Sequence, residues 1–407
     1  MPATSAADPA PSVSFDNTAI AFASRSNAEL RRMYGLFAMM NSNLAVRTGG
    51  SLVNGALALG IPGTKWMVKQ TVFKQFCGGE TIEECRPVIE ELAKYHIGTI
   101  LDYSVEGEGD ERAFDATRQE ILATVAMARA AGPEKIPFSV FKVTGLADTE
   151  LLARAQSGKP LTQDQQAALA RGLARVDAIC KAAHDAGVRV FVDAEESWIQ
   201  ETIDRWALEM MRRYNRQRAI VYNTYQLYRH DRLAALQADV AQAEAGAENA
   251  RFHIGAKLVR GAYLEKETRR ARQQGYANPM NPTKQATDDF YDESLRFCLD
   301  HIARVAICAG THNDASSRLT TELMHQRGLA PSDERVYFAQ LYGMSDNLSY
   351  NLAAAGYRVA KYVPYGPVEA VMPYLLRRAN ENTAIAGQSS REFLLIQKEM
   401  RRRRVKG

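Results

Sequence analysis

The chain has 407 residues, 46% of them apolar and 24% charged, with 51 Lys+Arg against 47 Asp+Glu and a formal net charge of +4. That length calls for one large domain or two to three ordinary ones, and the composition excludes a disordered tail protein, a collagen-like fibre and a disulfide-built mini-domain. So small a charge over so long a chain also argues against a nucleic-acid-coating protein, so the partner must be sought in a local site.

Met1 to Val13, rich in Pro, Ala, Ser and Thr, reads as a flexible lead. The first 24 residues hold no Lys or Arg, so neither a secretory signal nor a mitochondrial transit peptide is expected. Between about Ala28 and Lys94 apolar residues recur at helical spacing in four stretches: Leu30/Met33/Tyr34/Phe37, Leu52/Val53/Leu57, Trp66/Met67/Val72/Phe73 and Val88/Ile89/Leu92. They predict a helical arm. The most apolar uncharged run, Leu52 to Pro62, falls short of the roughly 20 residues that span a bilayer. Cys77, Cys85, Cys180, Cys298 and Cys308 are odd in number and lack any CxxC spacing, as expected of free thiols in a reducing compartment.

The pattern then changes to short β-branched runs separated by long amphipathic segments. Eight runs are read as strands: Thr99 to Tyr103, Phe138 to Val143, Arg189 to Asp193, Ile220 to Thr224, Ile254 to Val259, Val305 to Ala309, Val336 to Leu341 and Arg358 to Val363. Helices are predicted between them, among others over Gln163 to Ala186, Arg232 to Ala250, Asp288 to Ala303 and Val368 to Asn382. This alternation is that of an α/β chain closing into a (β/α)₈ barrel, with the helical arm before it. An open doubly wound sheet alternates in the same way, but Gly107 and Gly109 are followed by no third glycine of a dinucleotide fingerprint. The expected division is 1–93 for lead and arm, 94–390 for the barrel with its site, and 391–407 for a basic C-terminal helix and tail carrying Arg401 to Arg404 and Lys406.

A barrel gathers its chemistry where strands end, and nearly every run here ends in a polar residue: Asp102, Lys142, Asp193, Gln226, Lys257 with Arg260, His312 with Asn313, Gln340 and Tyr362. Singly, each is more often a salt-bridging partner than a reacting group; as a ring they mark one mouth. In the last barrel helix Tyr374, Arg377, Arg378 and Glu381 stand at i, i+3, i+4 and i+7, one face of the helix. Two readings fit that face: a solvated row of ion pairs, or a pair of guanidiniums that binds a small carboxylate with Glu381 holding one of them in place. The histidines are scattered without metal-ligand spacing, so no metal centre is expected. A strand-end lysine, Lys142 or Lys257, also admits a Schiff-base lyase as a rival chemistry.

Lys257-Leu-Val-Arg-Gly-Ala-Tyr263, Thr311-His-Asn313 and the stretch from Tyr362 to Asn382 closely resemble the proline dehydrogenase family, in its stand-alone form. Phe138 to Thr144, Phe191 to Glu196 and Asn223 to Tyr228 support the resemblance, which runs in order from about residue 70 onward. It implies a distorted barrel holding FAD at the C-terminal mouth and oxidation of L-proline to Δ1-pyrroline-5-carboxylate. By position it implies that Arg377 and Arg378 clamp the substrate carboxylate, that Glu381 orients an arginine, and that Leu341, Tyr362 and Tyr374 pack around the ring. Lys142, Asp193 and Lys257 would be the catalytic groups. Ala194, Gln226, Lys257, Arg260, Gly261, Ala262, Tyr263, Thr311, His312 and Asn313 would contact the flavin. A tyrosine at 362 favours plain proline over hydroxyproline, the related alternative substrate. Quinone is the implied electron acceptor, with peripheral contact at the inner membrane of a bacterial cytoplasm through the N-terminal arm or the C-terminal helix, no nucleic-acid partner, and an oligomeric state the sequence leaves open.

Overall fold

The computed structural model describes residues 13–40, 61–104, 109–384 and 388–405, with positions 53, 55, 56 and 59; side chains between 379 and 390 are outside the described set. The expected stretch Leu52/Val53/Leu57 therefore falls almost wholly outside the described residues.

Eight strands, β1 (Ile97–Tyr103), β2 (Phe138–Lys142), β3 (Arg189–Asp193), β4 (Val221–Gln226), β5 (Ile254–Val259), β6 (Val305–Gly310), β7 (Val336–Leu341) and β8 (Val359–Tyr365), pair in parallel and in chain order to close a barrel. Three match the expected runs end to end, and the others shift by one or two residues. Both faces of each strand are buried, which is why the runs read as nearly continuous apolar sequence. Alternate residues fill the lumen, where Phe138 stacks on Phe191 with centroids 4.2 Å apart and Tyr222 and Tyr337 stand edge-on to Phe138. The lumen floor is closed by Arg189, whose guanidinium lies 5.8 Å from the Phe138 ring centroid and 5.3 Å from that of Tyr337.

The arm supplies α1 (Thr18–Ala21), α2 (Asn27–Met40), α3 (Thr64–Val68), a π-turn over Lys69–Phe73, α4 (Lys74–Phe76) and α5 (Arg86–Ala93). The barrel helices are α6 (Glu111–Ala131), α7 (Thr149–Gln156), α8 (Gln163–Ala186), α9 (Ser197–Tyr214), α10 (Arg232–Glu244), α11 (Leu264–Gln274), α12 (Lys284–Asp300), α13 (Asp314–Gln326) and α14 (Asp346–Ala354). Helix α8 has the expected bounds, set by a Thr162/Gln165 capping box and a left-handed Gly187. Helix α10 stops six residues before the expected Ala250 and is followed by a short 3₁₀ turn over Glu248–Ala250. Helix α12 starts four residues earlier than expected, because the Thr283 hydroxyl accepts from the Ala286 N–H and caps it.

Two helices close the chain, α15 (Val368–Ala384) and α16 (Gln388–Arg402). Helix α15 packs chiefly against α2, α3, the π-turn and α16 rather than down the outside of β8. A second apolar core joins Phe22, Leu30, Phe37 and Phe76 of the arm to Val371, Leu375 and Ile396 of α15 and α16. The arm is tied to the strand tips: the Gly78 N–H donates to the Pro364 carbonyl, and Gln75 Nε2 donates to the Gly343 carbonyl at 2.9 Å. Gly343 has φ +79, and a Cβ there would stand 2.0 Å from the Gln75 carbonyl oxygen, so no other residue fits. The basic end of α16 is tied down as well, with Arg402 and Arg403 bonded to Glu399 and Arg403 donating to the carbonyls of Arg25 and Phe22. Among the described residues no helix is long and apolar enough to cross a membrane.

Candidate active site

Strand parity decides which tip residues reach the lumen. Ile100, Phe138, Val140, Phe191, Tyr222, Cys308, Ala339 and Tyr362 face inward, so two residues further on Asp102, Lys142, Asp193, Thr224, Gly310 and Leu341 share that face. Lys257 is in register with Cys308 and joins them. Gln340 does not: it faces α14, where its amide donates to the Thr311 carbonyl and Ser349 donates to its oxygen.

Three of the expected groups meet in one cluster. Lys257 Nζ donates to Asp193 Oδ1 and to the Tyr362 hydroxyl at 3.0 Å, and the Tyr362 hydroxyl reaches both Asp193 oxygens at 2.9 and 3.0 Å. The ammonium also lies 4.5 Å from the Tyr362 ring centroid and 5.0 Å from that of Phe191. Burial, then the Asp193 charge, pushes the Tyr362 phenol well above its ordinary value, so its O–H remains a donor. The Asp102 carboxyl beside them is raised by burial and by Asp193, against the opposing pull of Lys142. It accepts from the Ser104 hydroxyl at 2.7 Å.

Helix α15 brings the second group. Arg378 is buried, with its guanidinium 5.2 Å from the Tyr374 ring centroid, and Arg377 is half-buried. The solvated-row reading of this face therefore fails for Arg378 and Tyr374. Leu341 packs against both the lumen cluster of Tyr362 and the second core that holds Tyr374, so it bridges the strand tips to α15. Glu381 is in α15, but its side chain is outside the described residues.

The tips of β4 to β6 form the third group. Arg260 clasps Asp288 at 2.6 Å, Thr311 at 2.7 Å and Ser316 at 3.0 Å, which locks the β5 and β6 tips together. Gln226 donates to the Glu195 carbonyl and accepts from the Ala262 N–H. Gly261 has φ +138, and a Cβ there would meet the Tyr228 ring at 2.5 Å. Gly261 and Ala262 are exposed, Tyr263 is half-buried at the start of α11, and Ala194 is buried after β3. Asn313 spends its carboxamide oxygen capping α13 through the Ala315 and Ser316 N–H groups. Burial, followed by the charges of Lys361, Arg378 and Arg260, holds the His312 imidazole down at about 3, so it is neutral and offers one donor and one acceptor. Its Nδ1 is 2.8 Å from the Ser345 hydroxyl. Small, open backbone at 261–262 beside cationic and neutral donors fits a large planar ligand bearing anionic groups.

Several polar groups of this region carried no sequence signal of their own. Lys361 is wholly buried on the outer face of β8 and pairs with Asp346 at 2.9 Å, which in turn binds Arg25 at 3.1 Å. Glu195 is buried beside the tip of β2, accepting from the Thr144 N–H at 3.0 Å and meeting the Thr144 hydroxyl. Burial raises its carboxyl to about 7. An unfolded chain releases that proton near the ordinary glutamate value, whereas the fold retains it to about 7, so stability is complete below the lower value and falls as pH climbs between the two. Glu195→Gln, which imitates the protonated acid, removes that part of the slope, at most about 3 kcal/mol between pH 5 and 8. Chemical denaturation at both pH values measures it; an unchanged slope means that Glu195 is ionised in the fold. Glu392, also raised to about 7 by burial, keeps a slope of the same sign in the variant.

A parallel eight-stranded barrel whose polar side chains converge at the strand tips defines the class of (β/α)₈ enzymes. A family model described as proline dehydrogenase matches residues 85–391, and the chain belongs to that family and is an enzyme of it. It is 32% identical to proline dehydrogenase 1, mitochondrial, of Dictyostelium discoideum over 95% of this chain and 74% of that protein. It is 37% identical to the carbapenem antibiotics biosynthesis protein CarD of Pectobacterium carotovorum subsp. carotovorum, over 82% of this chain and 84% of that one. Among solved structures, proline utilization A of Bdellovibrio bacteriovorus, inactivated by N-propargylglycine, shares the fold with a TM-score of 0.71 at 18% identity. That match covers 92% of this chain, which spans only 39% of the longer protein.

Proposed function

We propose that the protein oxidises L-proline to Δ1-pyrroline-5-carboxylate, using FAD held non-covalently at the barrel mouth and passing the electrons to a membrane quinone. When bound, FAD would supply the two-electron acceptor, its N5 being the position for a hydride from the ring carbon next to nitrogen. The chain's own residues do the positioning. Arg377 and Arg378 pin the carboxylate, with Glu381 orienting one of them, and Leu341, Tyr362 and Tyr374 fit the pyrrolidine ring. Lys257 sets a cation at the lumen top, where reduction of a flavin builds negative charge, and Asp193, Tyr362 and Lys142 hold its surroundings. Gln226, Arg260, Gly261, Ala262, Tyr263, Ala194, Thr311, His312 and Asn313 line the cofactor's side of the mouth. Peripheral contact with a bacterial inner membrane completes the reading.

The observation that carries it is the buried guanidinium of Arg378, stacked on Tyr374 on a helix that Leu341 joins to the strand tips. Its charge acts on the His312 imidazole, which sets the guanidinium beside the strand tips, within the region where a substrate carboxylate would bind. The rival Schiff-base chemistry, at Lys142 or Lys257, asks for a free lysine amine; Lys257 Nζ is engaged by Asp193 and Tyr362, and Lys142 is left to the experiment. Anaerobic titration of the purified protein with L-proline tests the choice. A yellow protein that bleaches with one equivalent of substrate per site is expected; a colourless protein that borohydride links covalently to its substrate overturns the reading.

A further inference from the structure

We propose that Glu392 of the C-terminal helix is a positioning residue for the flavin side of the mouth, acting through Ser345 on His312. This rests on the flavin reading above and assigns part of the cofactor's wall to α16. Ser345 precedes α14 in left-handed backbone, φ +51 and ψ 43, a conformation costly for a residue with a Cβ and retained where the surroundings fix it. A serine before a helix ordinarily turns its hydroxyl back to the first amides, and this one makes no such cap. Its Oγ instead meets His312 Nδ1 at 2.8 Å, and its N–H donates to Glu392 Oε1. Glu392 is itself buried, so the contact is shielded from water.

The neighbouring residue holds the chain two positions after the same histidine. Arg391 pairs with Asp314, which opens α13 just after Asn313. The first turns of α16 thus hold both loops that flank His312, the one after β6 through Arg391 and the one after β7 through Glu392. With Nδ1 anchored to Ser345, the neutral ring leaves Nε2 for the site, in one orientation.

The test uses the full-length holoprotein and three variants, Glu392→Ala, Glu392→Gln and Ser345→Ala, reading the FAD dissociation constant, the visible flavin spectrum and the proline KM. Losing one buried hydrogen bond to the wall weakens FAD retention by about tenfold in Glu392→Ala and Ser345→Ala, with displaced flavin bands. The KM of the FAD-loaded enzyme moves by less than about threefold. Glu392→Gln, whose amide oxygen still accepts from the Ser345 N–H, restores retention. Equal FAD affinity and identical spectra in all four proteins overturn the proposal, as does a Glu392→Gln variant as impaired as Glu392→Ala. If Glu392→Ala does not fold, Ser345→Ala still cuts the second link, from the Ser345 hydroxyl to His312, and unchanged FAD affinity and spectrum in it overturn the proposal. A parent protein that takes up no FAD defeats the proposed function itself, a result distinct from parent and variants binding FAD alike.

Discussion

Arg378→Met raises the KM for L-proline by about two orders of magnitude or more while the flavin stays bound, as expected when one partner of a shielded charge pair is cut away. Methionine keeps the length and apolar stem that lie against Tyr374 and removes only the charged fork. The loss belongs to substrate binding, because the guanidinium sits on α15 and the strand-tip residues stay in place without it. Steady-state kinetics beside the flavin content of the purified protein measures this. An unchanged KM removes Arg378 from the substrate site and returns the face of α15 to a structural role.

Asp193→Ala has the second large effect, and it is double. Lys257 and Asp193 are both nearly buried, with side chains 8% and 13% exposed. Removing the carboxylate strands an ammonium whose remaining bond is to the Tyr362 hydroxyl, which costs about 3–5 kcal/mol of stability. Lys257→Met strands the carboxylate in turn. The Asp193→Ala/Lys257→Met double variant recovers most of the loss, since the uncompensated charge is gone, yet its turnover stays down by about 10²-fold or more, because the cation at the lumen top is gone with it. Denaturation curves of the four proteins give the coupling. If the two single losses simply add in the double variant, the pair is not an energetic unit.

The strands were legible because a parallel barrel buries both faces of each, and that leaves short β-branched runs no solvated helix would tolerate. Their tips were legible for the same reason, a polar residue at the end of an apolar run being conspicuous. What the linear pattern hides is the side to which such a residue turns. Gln340 looks like a mouth residue, yet it lies on the outer face, bonded to α14 and the loop beside it, as does Lys361, which nothing in the sequence singles out. Their neighbours Leu341 and Tyr362, one position on, take the inner one. The contacts between Glu392 and Ser345 or between Arg25 and Asp346 join residues 47 and 321 positions apart, and nothing local in either sequence announces them. The arm was readable as helices from its 3.6-residue period, but the period does not name the surface covered: Leu30, Met33 and Phe37 meet α15 and α16, Ile89 and Leu92 of α5 join the barrel core, and Trp66 and Met67 stay exposed.

Arg403 holds the carbonyls of Phe22 and Arg25, and Lys398 that of Asp16, across separations of more than 370 positions. During synthesis the segment around residues 16 to 25 emerges from the ribosome long before its partners exist. Its buried phenylalanines must wait, exposed or guarded by chaperones, until translation reaches the final helix. Closing so long a loop carries a large entropic cost before any contact rewards it, which makes the joining of these two segments a late and slow step in the maturation of the enzyme.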